Sequence, residues 1–143
     1  MQKSPFTARV EYQGNLRTSA VHLKSNTRII TDAPTDNEGK GEAFSPTDLV
    51  ATALASCMLT LMGIAAHAHS INLGKIAINV RKMMESNPRR ISELDVELII
   101  EDLNFSKKEK NILETAAITC PVAKSLNAEI IQNVVFQYVN AAQ

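Results

Sequence analysis

The sequence predicts a protein of the α+β class, and three observations carry that reading. The first third of the chain alternates apolar and polar residues, a long uncharged run follows, and strand-like and helix-like segments then share the remainder. In "FTARVEYQG", Phe6, Ala8, Val10 and Tyr12 fall on one face and Thr7, Arg9 and Glu11 on the other, as in a half-buried strand. Gly14-Asn15 marks a turn, and "LRTSAVHL" and "TRIITDAP" predict two further strands. Residues 32–46, rich in Gly, Pro, Asp and Asn, predict a loop.

From Pro46 to about Ser70 strand punctuation disappears. Ser45 is placed to cap a helix, with Pro46 at its first position and Asp48 in its first turn, facing the positive end of the dipole. Leu49, Ala53, Cys57 and Leu61 recur every four residues, with Leu54, Met58 and Met62 alongside. No charged residue lies between Leu49 and Ala66. About 20 apolar residues would span a bilayer. This run, however, is diluted by Thr52, Ser56, Thr60 and many alanines, lacks a flanking cationic cluster and sits between strand-like segments. A helix apolar all round is then expected to be buried, and a small domain covers it most readily by oligomerising. No membrane association is expected.

Two strands follow, "KIAINVRKMMES" and "ISELDVELIIED", joined by the turn-like "NPRR". "NFSKKEKNILETAAITC" carries a capping box, Ser106 with Glu109, and an apolar face of Leu113, Ala116 and Ala117. Pro121 ends or kinks that helix, because proline disfavours helical geometry in the residue before it. "PVAKSLNAEI" restarts a short helix and "IIQNVVFQYV" closes as a strand. A length of 143 residues suits one domain spanning 1–143.

Composition narrows the function classes. Fifteen basic and 15 acidic residues balance, so no electrostatic footprint for nucleic acid is present. Aromatic residues make up 4% and tryptophan is absent, which removes stacking platforms. The N-terminus carries no apolar core for a signal peptide, pointing to the cytoplasm. Structural disulfides are rare there, so Cys57 and Cys120 are expected to be free, catalytic or metal-binding rather than a staple. Metal binding has little support: His67 and His69 are two apart on a helix, His22 lies on a strand, and no C-x-x-C pair occurs. A G-x-S-x-G elbow and a phosphate-binding glycine loop are likewise missing.

The two thiols read differently. Cys120, directly before a proline that opens a helix, sits where free amide groups and the dipole favour the thiolate, with Lys124 one turn on; the bland reading is a small apolar filler. Cys57, in the middle of an apolar helix, is by default buried, protonated and inert. Its activation needs a cation from elsewhere, with Arg17 the first candidate and Arg9 and Arg28 less compelling.

"SPTDLVATALASCMLTL" resembles the central-helix motif of the OsmC/Ohr family of thiol-dependent hydroperoxide reductases, through Pro46, Asp48, Leu49, Ala53, Ala55 and Cys57. "CPVAKSL" resembles the family's second motif, and the resemblance covers nearly the whole chain. It implies an OsmC-like α+β fold, antiparallel sheets around a long buried central helix, in an intertwined homodimer. It implies that Cys57 is the peroxidatic thiolate and Cys120 the resolving thiol, with an organic hydroperoxide as substrate, an unidentified dithiol as reductant and no cofactor. Met58, Leu61 and Met62 are then expected to line a pocket for the peroxide's organic tail. Arg17, in a G-x-x-R context, resembles the activating arginine. The family's glutamate after the motif proline is replaced by Thr47, which leaves Asp48 and Glu42 as carboxylates to hold the arginine. The competing expectation is a binding module whose apolar cleft takes a lipid-like ligand, the cysteines being incidental; an inert structural protein ranks third.

Overall fold

The structure is a computed structural model that describes residues 5–140. It divides into two compact units, residues 1–49 and 50–143.

The first unit is a three-stranded antiparallel meander of β1 (Ala8–Gly14), β2 (Arg17–His22) and β3 (Arg28–Asp32). The β1–β2 turn carries three successive positive φ angles, Gly14 at 86°, Asn15 at 53° and Leu16 at 63°. Glycine and asparagine tolerate that region; leucine does so only under constraint. Leu16 is held on both sides, its N–H donating to the Tyr12 hydroxyl (3.2 Å) and its carbonyl accepting from Ala33 N–H (3.0 Å). The apolar face expected to half-bury β1 is open in the single chain, with Phe6 88%, Val10 62% and Tyr12 67% exposed. Alternation marks a strand with one apolar face; it does not say whether the same chain covers that face.

The loop after β3 folds back on its own start. Gly39 N–H donates to the Pro34 carbonyl (2.9 Å), Gly41 N–H to Ala33 (3.2 Å), and Asp32 N–H to the Phe44 carbonyl (3.1 Å). Glycine is required at position 39, since a Cβ there would lie 1.7 Å from the Ala33 carbonyl oxygen.

The second unit is built by α1 (Pro46–Ala68), which begins at its edge, with β4 (Ile76–Glu85), β5 (Arg90–Glu101), α2 (Lys107–Ile118), α3 (Pro121–Ser125) and β6 (Ile131–Val139). The sheet order is β4-β5-β6. Three cross-strand rows make its inner face: Val80, Val96 and Val134; Ile78, Leu98 and Phe136; Ile76, Ile100 and Tyr138. Against them pack Leu54, Met58, Met62 and Ala66, a stripe at a spacing of four along α1, together with Leu113 and Ala117 of α2. Leu54, Met58, Met62, Leu98 and Leu113 are fully buried, each contributing roughly 1.5–3 kcal/mol of transfer free energy. The antiparallel pairing expected of the sheets holds within β1–β3 and for β4–β5, whereas β5 and β6 run parallel. The α2–α3 segment between them returns the chain to the same end of the sheet, which a tight hairpin cannot do.

α1 is long and apolar enough to cross a membrane, but 33% of its apolar window is buried, and the buried stripe is the one on the sheet. The opposite stripe, Ala53, Ser56, Thr60 and Ile64, is exposed in the single chain. The expected burial all round is therefore met on one side only.

Candidate active site

Cys57 and Cys120 are both free, and their thiols lie 3.7 Å apart. The approach is a consequence of the core. Cys57 borders the Leu54–Met58–Met62 stripe of α1, partly buried, and Cys120 sits wholly buried at the α2–α3 junction in the same apolar cluster. Thr119 ends α2, and Cys120 in extended geometry (φ −66°, ψ 152°) is the N-cap of α3, with Pro121 at its first position. The Cys120 Sγ accepts the Ala123 N–H at 3.5 Å. Proline thus stops one helix, starts the next and leaves the cysteine at the corner facing α1.

The electrostatics reverse one expectation. The helix-start position was expected to make Cys120 the more acidic thiol; instead its pKa is raised. Burial is the largest cause, because a thiolate loses its hydration there. The Ala123 N–H favours the thiolate and offsets part of this, while the neighbouring Cys57 pushes further upward. Cys120 therefore keeps its proton to higher pH than an ordinary cysteine.

In the first unit, Arg17 and Asp32 face each other across the β2–β3 register. Arg17 Nε donates to Asp32 Oδ1 (2.6 Å) and Nη2 to Oδ2 (2.8 Å), a two-pronged pairing. Asp32 is 1% exposed, and its Oδ2 also accepts the Glu42 N–H at 3.1 Å. The hydrogen bonds from Arg17 hold the Asp32 carboxyl below its ordinary pKa, against the opposing effect of desolvation. Asp32 in turn raises the pKa of Arg17. Glu42 reaches the same guanidinium only at 3.5 Å, from a largely exposed position.

Asp48 takes part in the cap of α1. Its Oδ2 accepts the Ser45 N–H (2.9 Å) while its own N–H donates to Ser45 Oγ (3.0 Å). This reciprocal pair is a capping box at the start of α1, with aspartate in the place usually taken by glutamate.

A family profile described as OsmC-like protein matches residues 39–134. The crystal structure of a candidate osmotic stress induced and detoxification response protein from Psychrobacter arcticus is 49% identical, covering 95% of this chain and 98% of that one, with a TM-score of 0.89. The chain belongs to the OsmC/Ohr family. An OsmC-like protein from Mycoplasma pneumoniae (20% identity, coverage 97% and 100%, TM-score 0.79) shares the OsmC-like fold. So does an organic hydroperoxide resistance protein from Legionella pneumophila (15% identity, coverage 94% and 99%, TM-score 0.73). No curated relative matches the sequence.

In this OsmC-like chain, Thr47 stands directly after the motif proline, its hydroxyl 3.2 Å from that of Ser45. Met58 and Met62, expected to line a pocket for an organic tail, are both 0% exposed and belong to the core; Leu61 alone of the three is partly exposed. Their spacing of four on an apolar helix fitted a core stripe equally well. Asp32 escaped the sequence reading, which placed it at the edge of a loop. The available signal was the hairpin register, since the strand closing on Arg17 ends in an acidic residue.

Proposed function

We propose that this OsmC-like protein, acting as one functional domain, is a cytoplasmic peroxidase for organic hydroperoxides that cycles between dithiol and disulfide. The observation that carries this reading is the pair of free thiols 3.7 Å apart, one partly exposed and the other buried. The Cys57 thiolate attacks the terminal peroxide oxygen. An S–O bond forms, the O–O bond breaks, and the departing alkoxide takes a proton to leave as an alcohol. Cys57 is now a sulfenic acid. The Cys120 sulfur displaces its hydroxyl, which leaves as water with the Cys120 proton, and the disulfide forms. A dithiol reductant restores both thiols by exchange and is itself oxidised to a disulfide.

Arg17 is the proposed activating arginine, on the strength of its G-x-x-R context in the family resemblance. A homodimer is part of the proposal: the apolar face of β1 and the uncharged stripe of α1 are open surfaces that a second copy would cover. The names of the relatives agree, one a candidate detoxification-response protein and another an organic hydroperoxide resistance protein. The test is consumption of cumene hydroperoxide with dithiothreitol as reductant. Multiple turnovers are expected from the native protein. Peroxide loss no faster than with dithiothreitol alone would contradict the reading.

A further inference from the structure

The inner face of β6 starts on a residue that does not suit an apolar core. Val134, Phe136 and Tyr138 continue the cross-strand rows of the sheet, whereas Gln132, opposite the fully buried Leu94, puts a carboxamide on the same face. A polar group among apolar neighbours costs free energy unless it is hydrogen-bonded. Gln132 is half-buried, and its Nε2 donates to the Ala123 carbonyl of α3 at 3.2 Å. We infer that Gln132 is a positioning residue for the resolving thiol, clipping α3 to β6 so that Cys120 is held against Cys57. This rests on the dithiol cycle proposed above and concerns only its second step, in which the Cys57–Cys120 bond forms and water leaves.

Ala123 is gripped at both of its peptide groups. Its N–H donates to the Cys120 Sγ at 3.5 Å and its carbonyl accepts from Gln132, so a single residue lies between the sheet and the sulfur. On its own α3 cannot fix that arrangement. It has five residues, far fewer than an isolated helix needs. The Ser125 hydroxyl donates to the Pro121 carbonyl (2.8 Å) and the Lys124 N–H to the Cys120 carbonyl (3.1 Å), bonds that close within the segment and do not tie it to the sheet. Val122, Ala123 and Leu126 do pack on the core cluster. Apolar contact is non-directional, however, and leaves the segment free to slide. The amide bond from β6 is directional and sets where α3 stops.

The second step is the one that feels such a slide. The two sulfurs stand 3.7 Å apart without a bond, and Cys120 must meet Cys57 as its hydroxyl departs. A slack α3 lowers the effective concentration of Cys120 at Cys57 and leaves the attack of Cys57 on peroxide unchanged.

The experiment compares the native full chain with Gln132→Met, which keeps the unbranched length and removes the donor. Reduced protein is mixed with one equivalent of cumene hydroperoxide, quenched at intervals and weighed intact. Oxygen gain at Cys57 should keep its native rate, and the following loss of water should slow roughly tenfold, the scale of one hydrogen bond. Independently of peroxide, the dithiol is equilibrated with oxidised glutathione, which takes up two hydrogens as two reduced glutathiones while the protein disulfide forms. That equilibrium constant should also fall about tenfold.

A native rate of water loss, equal slowing of both steps, or an unchanged glutathione equilibrium would each overturn the inference while leaving the dithiol cycle intact. If the native protein forms no disulfide with peroxide, the peroxidase reading fails separately, and the glutathione equilibrium still decides the role of Gln132. Should Gln132→Met not fold, Gln132→Glu, which keeps the shape and at neutral pH turns an acceptor toward the Ala123 carbonyl, is read in the same two ways.

Discussion

Cys57 and Cys120 are neighbours in space with opposite surroundings. Cys57 is partly exposed on the flank of a long helix, and Cys120 is 0% exposed at a corner between two short ones. Local sequence ranks them the other way, because a cysteine at a helix start has amide groups to favour its thiolate, and one in mid-helix has none. The comparison teaches that burial outweighs one weak N–H···S contact. A 3.5 Å bond from Ala123 does not restore the hydration that Cys120 lost.

The largest effects that break this comparison come from serine substitutions. Cys57→Ser is expected to reduce hydroperoxide consumption by on the order of 10³-fold or more, as for loss of a nucleophile, measured with dithiothreitol as reductant. Cys120→Ser should spare the first oxidation and block the cycle, trapping a sulfenic acid on Cys57 that dimedone labels. Labelling of Cys120 in Cys57→Ser, with none on Cys57 in Cys120→Ser, would exchange the two roles. The fold itself should tolerate Cys120→Ser, since serine at an N-cap accepts the same Ala123 N–H; a stability change within about 1 kcal/mol in urea unfolding is expected.

A smaller difference lies in alkylation by iodoacetamide across pH. The raised pKa of Cys120 keeps it a thiol where an ordinary cysteine, near about 8.5, has already ionised. Its modification should rise only at higher pH than that, and near pH 8 lag that of the same residue in the urea-unfolded chain by about tenfold or more, as peptide mapping would show. The sign for stability follows. A raised folded pKa contributes stability that is complete below the unfolded value and lost as pH climbs through the folded one. Earlier modification of Cys120 would mean that its corner opens more readily than its burial implies.

Much of the fold was legible in the residues. The cap at Ser45, the capping box at Ser106 and the break at Pro121 lie where local chemistry puts them. The rows of valine, isoleucine and leucine on β4, β5 and β6 follow from the period of two. What stayed hidden was set by distant partners. Alternation in β1 cannot report that its apolar face is open in the single chain, nor can β6 report that it runs parallel to β5. The candidate residues divide in the same way. The cysteines were visible as residue types, whereas Asp32 gains meaning only when β3 aligns beside β2 and brings it against Arg17.

The central claim is that two thiols 63 residues apart in sequence form one redox unit. Its most direct measurement is the intact mass of the reduced native protein after one equivalent of cumene hydroperoxide, with peptide mapping. The account predicts a loss of two hydrogens per chain and a single Cys57–Cys120 cross-link within one protomer. A gain of oxygen on Cys57 that never resolves, or an unchanged mass with folded protein, would contradict it.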